Sequence, residues 1–160
     1  MTNYWEKLQM SILKNEFKRE ANKKHDINYF MLGNDDYIYC CIAGTHIHRI
    51  HKQFFYLDIS KLKFNESIER LYQENATLSD QTMIYSGYTK EKGKAQYMEY
   101  KSENNEKTMY FDKRLIEEYG GYQEITLFAN VNNGPYAPVI VKDNYTGYGI
   151  GLLLPCKVDN

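Results

Sequence analysis

The stretch that decides the fold is Tyr29-Phe30-Met31-Leu32-Gly33-Asn34-Asp35-Asp36-Tyr37-Ile38-Tyr39-Cys40-Cys41-Ile42-Ala43-Gly44-Thr45-His46-Ile47-His48-Arg49-Ile50-His51. It holds three short runs rich in aromatic and β-branched residues, a composition that suits a pleated, half-buried surface. Gly33, Asn34 and Asp35 interrupt it once and Gly44 interrupts it again, each with turn chemistry. Runs this short, joined this tightly, pair as neighbours. The spacing therefore predicts an antiparallel meander of strands at 29–32, 37–43 and 45–51, with 54–57 continuing the sheet.

Upstream, Trp5, Leu8, Ile12 and Phe17 follow helical spacing, and Leu13 widens the apolar stripe. Thr2 or Asn3 can cap this helix, and Trp5 and Phe17 read as core anchors. Lys7, Lys14, Lys18 and Glu20 lie on the other face. The helix is expected to fade near Asn22, where Lys23, Lys24 and His25 suit a C-terminal end.

Downstream, Asn65 opens a polar stretch that predicts a short helix with Ile68, Leu71 and Tyr72 on its apolar face. Strands are predicted at 83–88, 96–101 and 107–111, with charged tips at 90–94 and 102–106. Asp112 caps a second short helix running to Tyr119, and Gly120-Gly121 ends it. Strands follow at 122–131, 136–141 and 148–154, turned by Asn133-Gly134-Pro135 and Asn144-Tyr145-Thr146-Gly147. No Pro-, Gly- or Ser-rich linker divides the chain. The expected fold is α+β over 1–160 as a single domain: an antiparallel sheet packed against the N-terminal helix and one or two short helices. Tyr56-Leu57-Asp58 and Tyr110-Phe111-Asp112 echo one another before helices, as two repeats of strand, helix and several strands would.

A chain of 160 residues with 42% hydrophobic content can build a core unaided. Its net charge of −1 argues against indiscriminate nucleic-acid binding. Cys40, Cys41 and Cys156 form neither a C-x-x-C pair nor an even disulfide framework, so they are expected as reduced, apolar thiols. The N-terminus lacks a basic start followed by an apolar run, and no stretch nears the ~20 apolar residues of a membrane span. A cytoplasmic location is the expectation. Tyrosine occurs 16 times. Codons rich in A and T account for that without any function, whereas a contact surface would use tyrosine for rigid area and a hydrogen-bonding tip.

His46, His48 and His51 are the sharpest local signal. On a strand His46 and His48 share a face and could chelate one metal, with a further ligand from His25 or Asp58. Arg49 and Lys52 add positive charge, so the same segment also reads as a basic strip for a partner, or as an exposed strand with half-buried histidines. Nothing joins a nucleophile, a base and an orienting group. Gly147-Tyr148-Gly149-Ile150-Gly151 lacks the Lys-Ser/Thr of a phosphate loop, so its glycines are expected at a bend or bulge. Asp35-Asp36 reads as turn chemistry and Glu117-Glu118 as a solvated helix face. Charge is uneven: 14–63 leans basic and 99–124 leans acidic, through Glu103, Glu106, Glu117 and Glu118 among others. A two-sided molecule of this kind suits docking on a charged protein surface.

The segment from Met109-Tyr110-Phe111-Asp112 to Gly151-Leu152-Leu153-Leu154-Pro155-Cys156-Lys157-Val158 resembles the closing part of a bacterial sliding-clamp domain, about a third of the chain. A full clamp needs several such domains per ring. In size, composition and lack of local chemistry the whole chain resembles the small proteins of phages and mobile elements of Gram-positive bacteria, including anti-CRISPR inhibitors of type II effector nucleases. That resemblance implies a stoichiometric, non-enzymatic inhibitor that binds the nuclease and blocks DNA cleavage. The expectation is a protein partner met through His46, His48, Arg49, Lys52, Glu103, Glu106, Glu117 and Glu118, with no catalytic residue, no cofactor, no metal and no membrane. Direct nucleic-acid binding is not expected. The alternative is a sliding-clamp-like or DNA-associated accessory protein, and a metal enzyme built on His46 and His48 is a third class.

Overall fold

The computed structural model describes residues 4–22 (19–22 as backbone), 28–130, 132, 134 and 136–158. Helix α1 spans Tyr4–Asn22, and strands β1 (Tyr29–Leu32), β2 (Tyr37–Ile42) and β3 (His46–His51) follow. Short 3-10 turns at Lys52–Phe54 and Ile59–Lys61 lead to α2 (Ile68–Leu78). Strands β4 (Gln81–Lys92), β5 (Ala95–Ser102) and β6 (Thr108–Asp112) precede α3 (Lys113–Glu118). Strands β7 (Ile125–Ala129), β8 (Val139–Asp143) and β9 (Gly149–Leu153) close the chain. The strands form one nine-stranded sheet in the order β1-β2-β3-β9-β8-β7-β4-β5-β6, and the ladders are antiparallel. The α+β class expected from the turn and strand pattern is the class observed.

The period of two divides the side chains between two faces. On one, Ile38, Cys40, Ile42 and Ile50 meet Leu8 and Ile12 of α1. Further along that face, Met83, Met98, Phe111, Leu127, Val141 and Leu153 pack with Tyr4 and with Ile116 and Tyr119 at the end of α3. On the other, Tyr39, Ile47, Ile140 and Leu152 meet Ile68 and Tyr72 of α2. Cys40 and Cys41 therefore join different clusters, and all three thiols are free.

Several expectations change. Residues 54–57 do not extend the sheet. The His51 ring accepts from the Gln53 amide and starts a 3-10 turn, while β9 occupies the place beside β3. Phe17 is 69% exposed and anchors no core. Leu71 is exposed as well, and the buried positions of α2 are Ile68 and Tyr72. Tyr122 and Gln123 belong to a turn, so β7 starts at Ile125. The caps expected at Thr2 or Asn3, and the cations Lys23, Lys24 and His25, lie outside the described residues.

Other local readings hold. Asp112 caps α3 by accepting from the Arg114 amide. The Gly121 and Gly120 amides donate to the Ile116 and Glu117 carbonyls, closing that helix with both glycines at positive φ. Between β8 and β9 the register slips where Val141 pairs with Gly151 but Lys142 pairs with Gly149, so the glycine segment does hold a bulge. No described helix is long and apolar enough to cross a membrane.

Candidate functional site

Strand β3 pairs with β2 on one side and β9 on the other, so it lies inside the sheet. His46 and His48 are two residues apart and thus share a face, the one covered by α1 and α3. Both are buried, at 4% and 0% exposure. Glu118, at the last position of α3, reaches the same place. Its Oε1 lies 3.3 Å from His46 Nε2 and 3.7 Å from His48 Nε2. The three side chains offer ligand atoms that all lie within 4.8 Å of one another.

Neighbouring groups hold the rings. His46 Nδ1 lies 2.8 Å from Thr45 Oγ1. Tyr119 stacks on His48 with centroids 4.1 Å apart, and its hydroxyl donates to the Ile47 carbonyl at 2.6 Å. A Cβ at residue 151 would overlap the Tyr119 ring and the Ile47 carbonyl, so Gly151 is what lets Tyr119 cross β9. Neither ring nitrogen of His48 has a hydrogen-bond partner among the described residues.

Electrostatically, burial outweighs the nearby carboxylate and pulls His48 down to about 4, so the ring is neutral at pH 7. Burial alone would raise Glu118, but the two imidazoles more than offset it and hold the carboxyl below its ordinary value. The cluster offers a carboxylate oxygen and two ring nitrogens, a donor set typical of borderline divalent metals.

The remaining expected site residues scatter. Arg49 is spent inside the protein: it donates to Tyr39 Oη at 3.1 Å, the Gly149 carbonyl at 2.6 Å and Asp35 Oδ2 at 3.0 Å, and it lies 3.6 Å over the Tyr37 ring. Lys52 is exposed and pairs with Asp36 at 3.1 Å. Glu103, Glu106 and Glu117 are exposed. The structure brings His46, His48 and Glu118 together and leaves the other five apart from them. His46 and His48 are buried inner-strand side chains and present no surface in this conformation. Glu118 turns inward from the helix face expected to be solvated, because α3 packs on the sheet with Ile116 and Tyr119 inward. Of the two further ligands considered from the sequence, Asp58 is exposed and caps the Ile59–Lys61 turn, and His25 lies outside the described residues.

A second feature was not legible in the strand pattern. Between α1 and the 57–62 segment runs an apolar groove of about 340 Å³, lined by Ile12, Leu13, Phe17, Leu57 and Leu62. Glu16, Asp58 and Lys61 add charge to its lining. The exposure of Phe17 and Leu13 marks this face. No family model, curated protein or solved structure matches the chain.

Proposed function

We propose that this protein is a non-enzymatic protein-binding inhibitor, most specifically an anti-CRISPR protein that binds a type II CRISPR effector nuclease in the cytoplasm and blocks DNA cleavage. The observation that carries the binding reading is the apolar groove beside α1, where Phe17 and Leu13 stand exposed over Leu57 and Leu62. Apolar side chains grouped at a concave surface and flanked by charge are the usual centre of a protein interface. The narrower identity rests on the likeness in size and composition to small phage and mobile-element proteins.

The test is co-purification with type II effector nucleases and a DNA-cleavage assay at equimolar ratio. Complex formation and loss of cleavage are expected. Phe17→Asp should weaken the complex by roughly 30-fold, the effect of a central contact worth about 2 kcal/mol, while leaving the fold intact. Absence of a complex at micromolar concentrations of several such nucleases defeats the proposal.

One observation favours a second reading, a sliding-clamp-like accessory protein. Six of the nine strands read β6-β5-β4-β7-β8-β9, two three-stranded meanders back to back, each preceded by a helix, α2 or α3. Light scattering that gives only a monomer, together with no salt-dependent retention on DNA, would remove this reading.

A further inference from the structure

We propose that His46, His48 and Glu118 bind one borderline divalent transition-metal ion, Zn²⁺ by preference, which ties β3 to the end of α3. The spacing carries the argument. Metal–ligand bonds of about 2.0–2.2 Å at tetrahedral angles set neighbouring ligand atoms roughly 3.3 Å apart. Glu118 Oε1 stands 3.3 Å from His46 Nε2 and 3.7 Å from His48 Nε2. All three ligand atoms lie within 4.8 Å of one another, so an ion between them would draw the side chains together.

The hydrogen bonds supply an independent reason. Thr45 Oγ1 lies 3.2 Å from the Ile42 carbonyl, which can only accept, and 2.8 Å from His46 Nδ1. Thr45 thereby orients the His46 ring with its Nε2 toward Glu118 Oε1, as a partner on the outer nitrogen does for a ligating imidazole. His48 points the same way: it is fully buried, and its Nε2 has no partner at hydrogen-bond distance among the described residues. An ion on Nε2 satisfies that atom and leaves the ring proton on Nδ1. Two imidazoles and a carboxylate suit zinc better than magnesium or calcium, which prefer oxygen. Glu118 is 36% exposed, so the ion reaches the site from the α3 side, where the fourth position takes water. The inference is independent of the inhibitor reading, because the ion joins two elements of this chain and touches no partner.

The full chain, without a histidine tag and stripped with EDTA, is titrated with ZnCl₂ and, separately, CoCl₂. One zinc per chain is expected after dialysis, with a rise in Tm that EDTA reverses. Glu118→Gln, at a partly exposed position and nearly isosteric, should weaken zinc binding by at least about ten-fold. X-ray absorption at the zinc edge of the wild-type protein, which needs no variant, should show two imidazoles with oxygen and no sulfur. Failure to retain stoichiometric zinc overturns the proposal. So does unchanged affinity in Glu118→Gln, or a sulfur ligand, which would put the ion on a cysteine.

Discussion

Asp35 shows how one side chain can carry both a turn and a tertiary contact. Its Oδ1 accepts the Tyr37 amide at 3.2 Å, the local bond that turn chemistry implies. Its Oδ2 takes the Tyr39 hydroxyl at 2.5 Å and the Arg49 guanidinium at 3.0 Å. Burial would raise this carboxyl, but the bonds from Tyr39 and Arg49 more than compensate, and its pKa is lowered. A lowered folded-state pKa means that the unfolded chain takes up the proton first. The stabilisation is therefore complete above the unfolded value of about 3.9 and is lost as pH falls through the folded one. Asp35→Asn should cost about 1–3 kcal/mol at pH 7, toward the lower end because the site is partly exposed. Urea denaturation of both proteins should show the same gap at pH 7 and pH 5 and a smaller one at pH 3. A gap of constant size would mean that the carboxylate charge is not what matters. At this scale the turn was legible and the ion pair was not, since Asp35 and Arg49 meet only through the β2–β3 register.

Helix α3 is short, and its ends were legible because capping is local chemistry. Asp112 accepts the Arg114 amide at 2.9 Å, and Asp58 does the same for Ser60 at 3.1 Å. The echo between the two Tyr-x-Asp segments is thus a pair of caps. The second precedes α3, whereas the first precedes a single 3-10 turn. Asp112→Ala should cost about 1 kcal/mol, within the usual range of roughly 0.5–2 for a lost cap. Because α3 delivers Glu118 and Tyr119 to the histidines, the variant should also shift the His46 and His48 ring signals in NMR spectra. If both the stability and those signals stay at wild-type values, α3 is not held by its cap. The face of α1 was misread at Phe17 for a related reason. Helical spacing names the residues that share a stripe but says nothing of where the neighbouring sheet ends.

The central strands β9, β8, β7 and β4 join two halves of a sheet in which each edge strand makes one further bridge to a non-strand segment. Phe30 of β1 bridges Phe64, and Tyr110 of β6 bridges Cys156. Amides of 127–129, 139–141 and 151–153 should be the slowest to exchange with deuterium, and those at the 92–95 tip among the fastest. Equal protection at both places would contradict a sheet that is most stable at its middle. The sequence by itself determined the meander of β1 to β3, the Asp112 cap of α3, the glycine bulge and the shared face of His46 and His48, because each follows from residues a few positions apart. Only the tertiary structure decided that β9 lies beside β3, that α3 lies over that junction, and that Glu118 therefore meets two histidines some seventy residues earlier. Strand order and helix docking depend on how distant apolar faces fit together, and no local spacing encodes that fit.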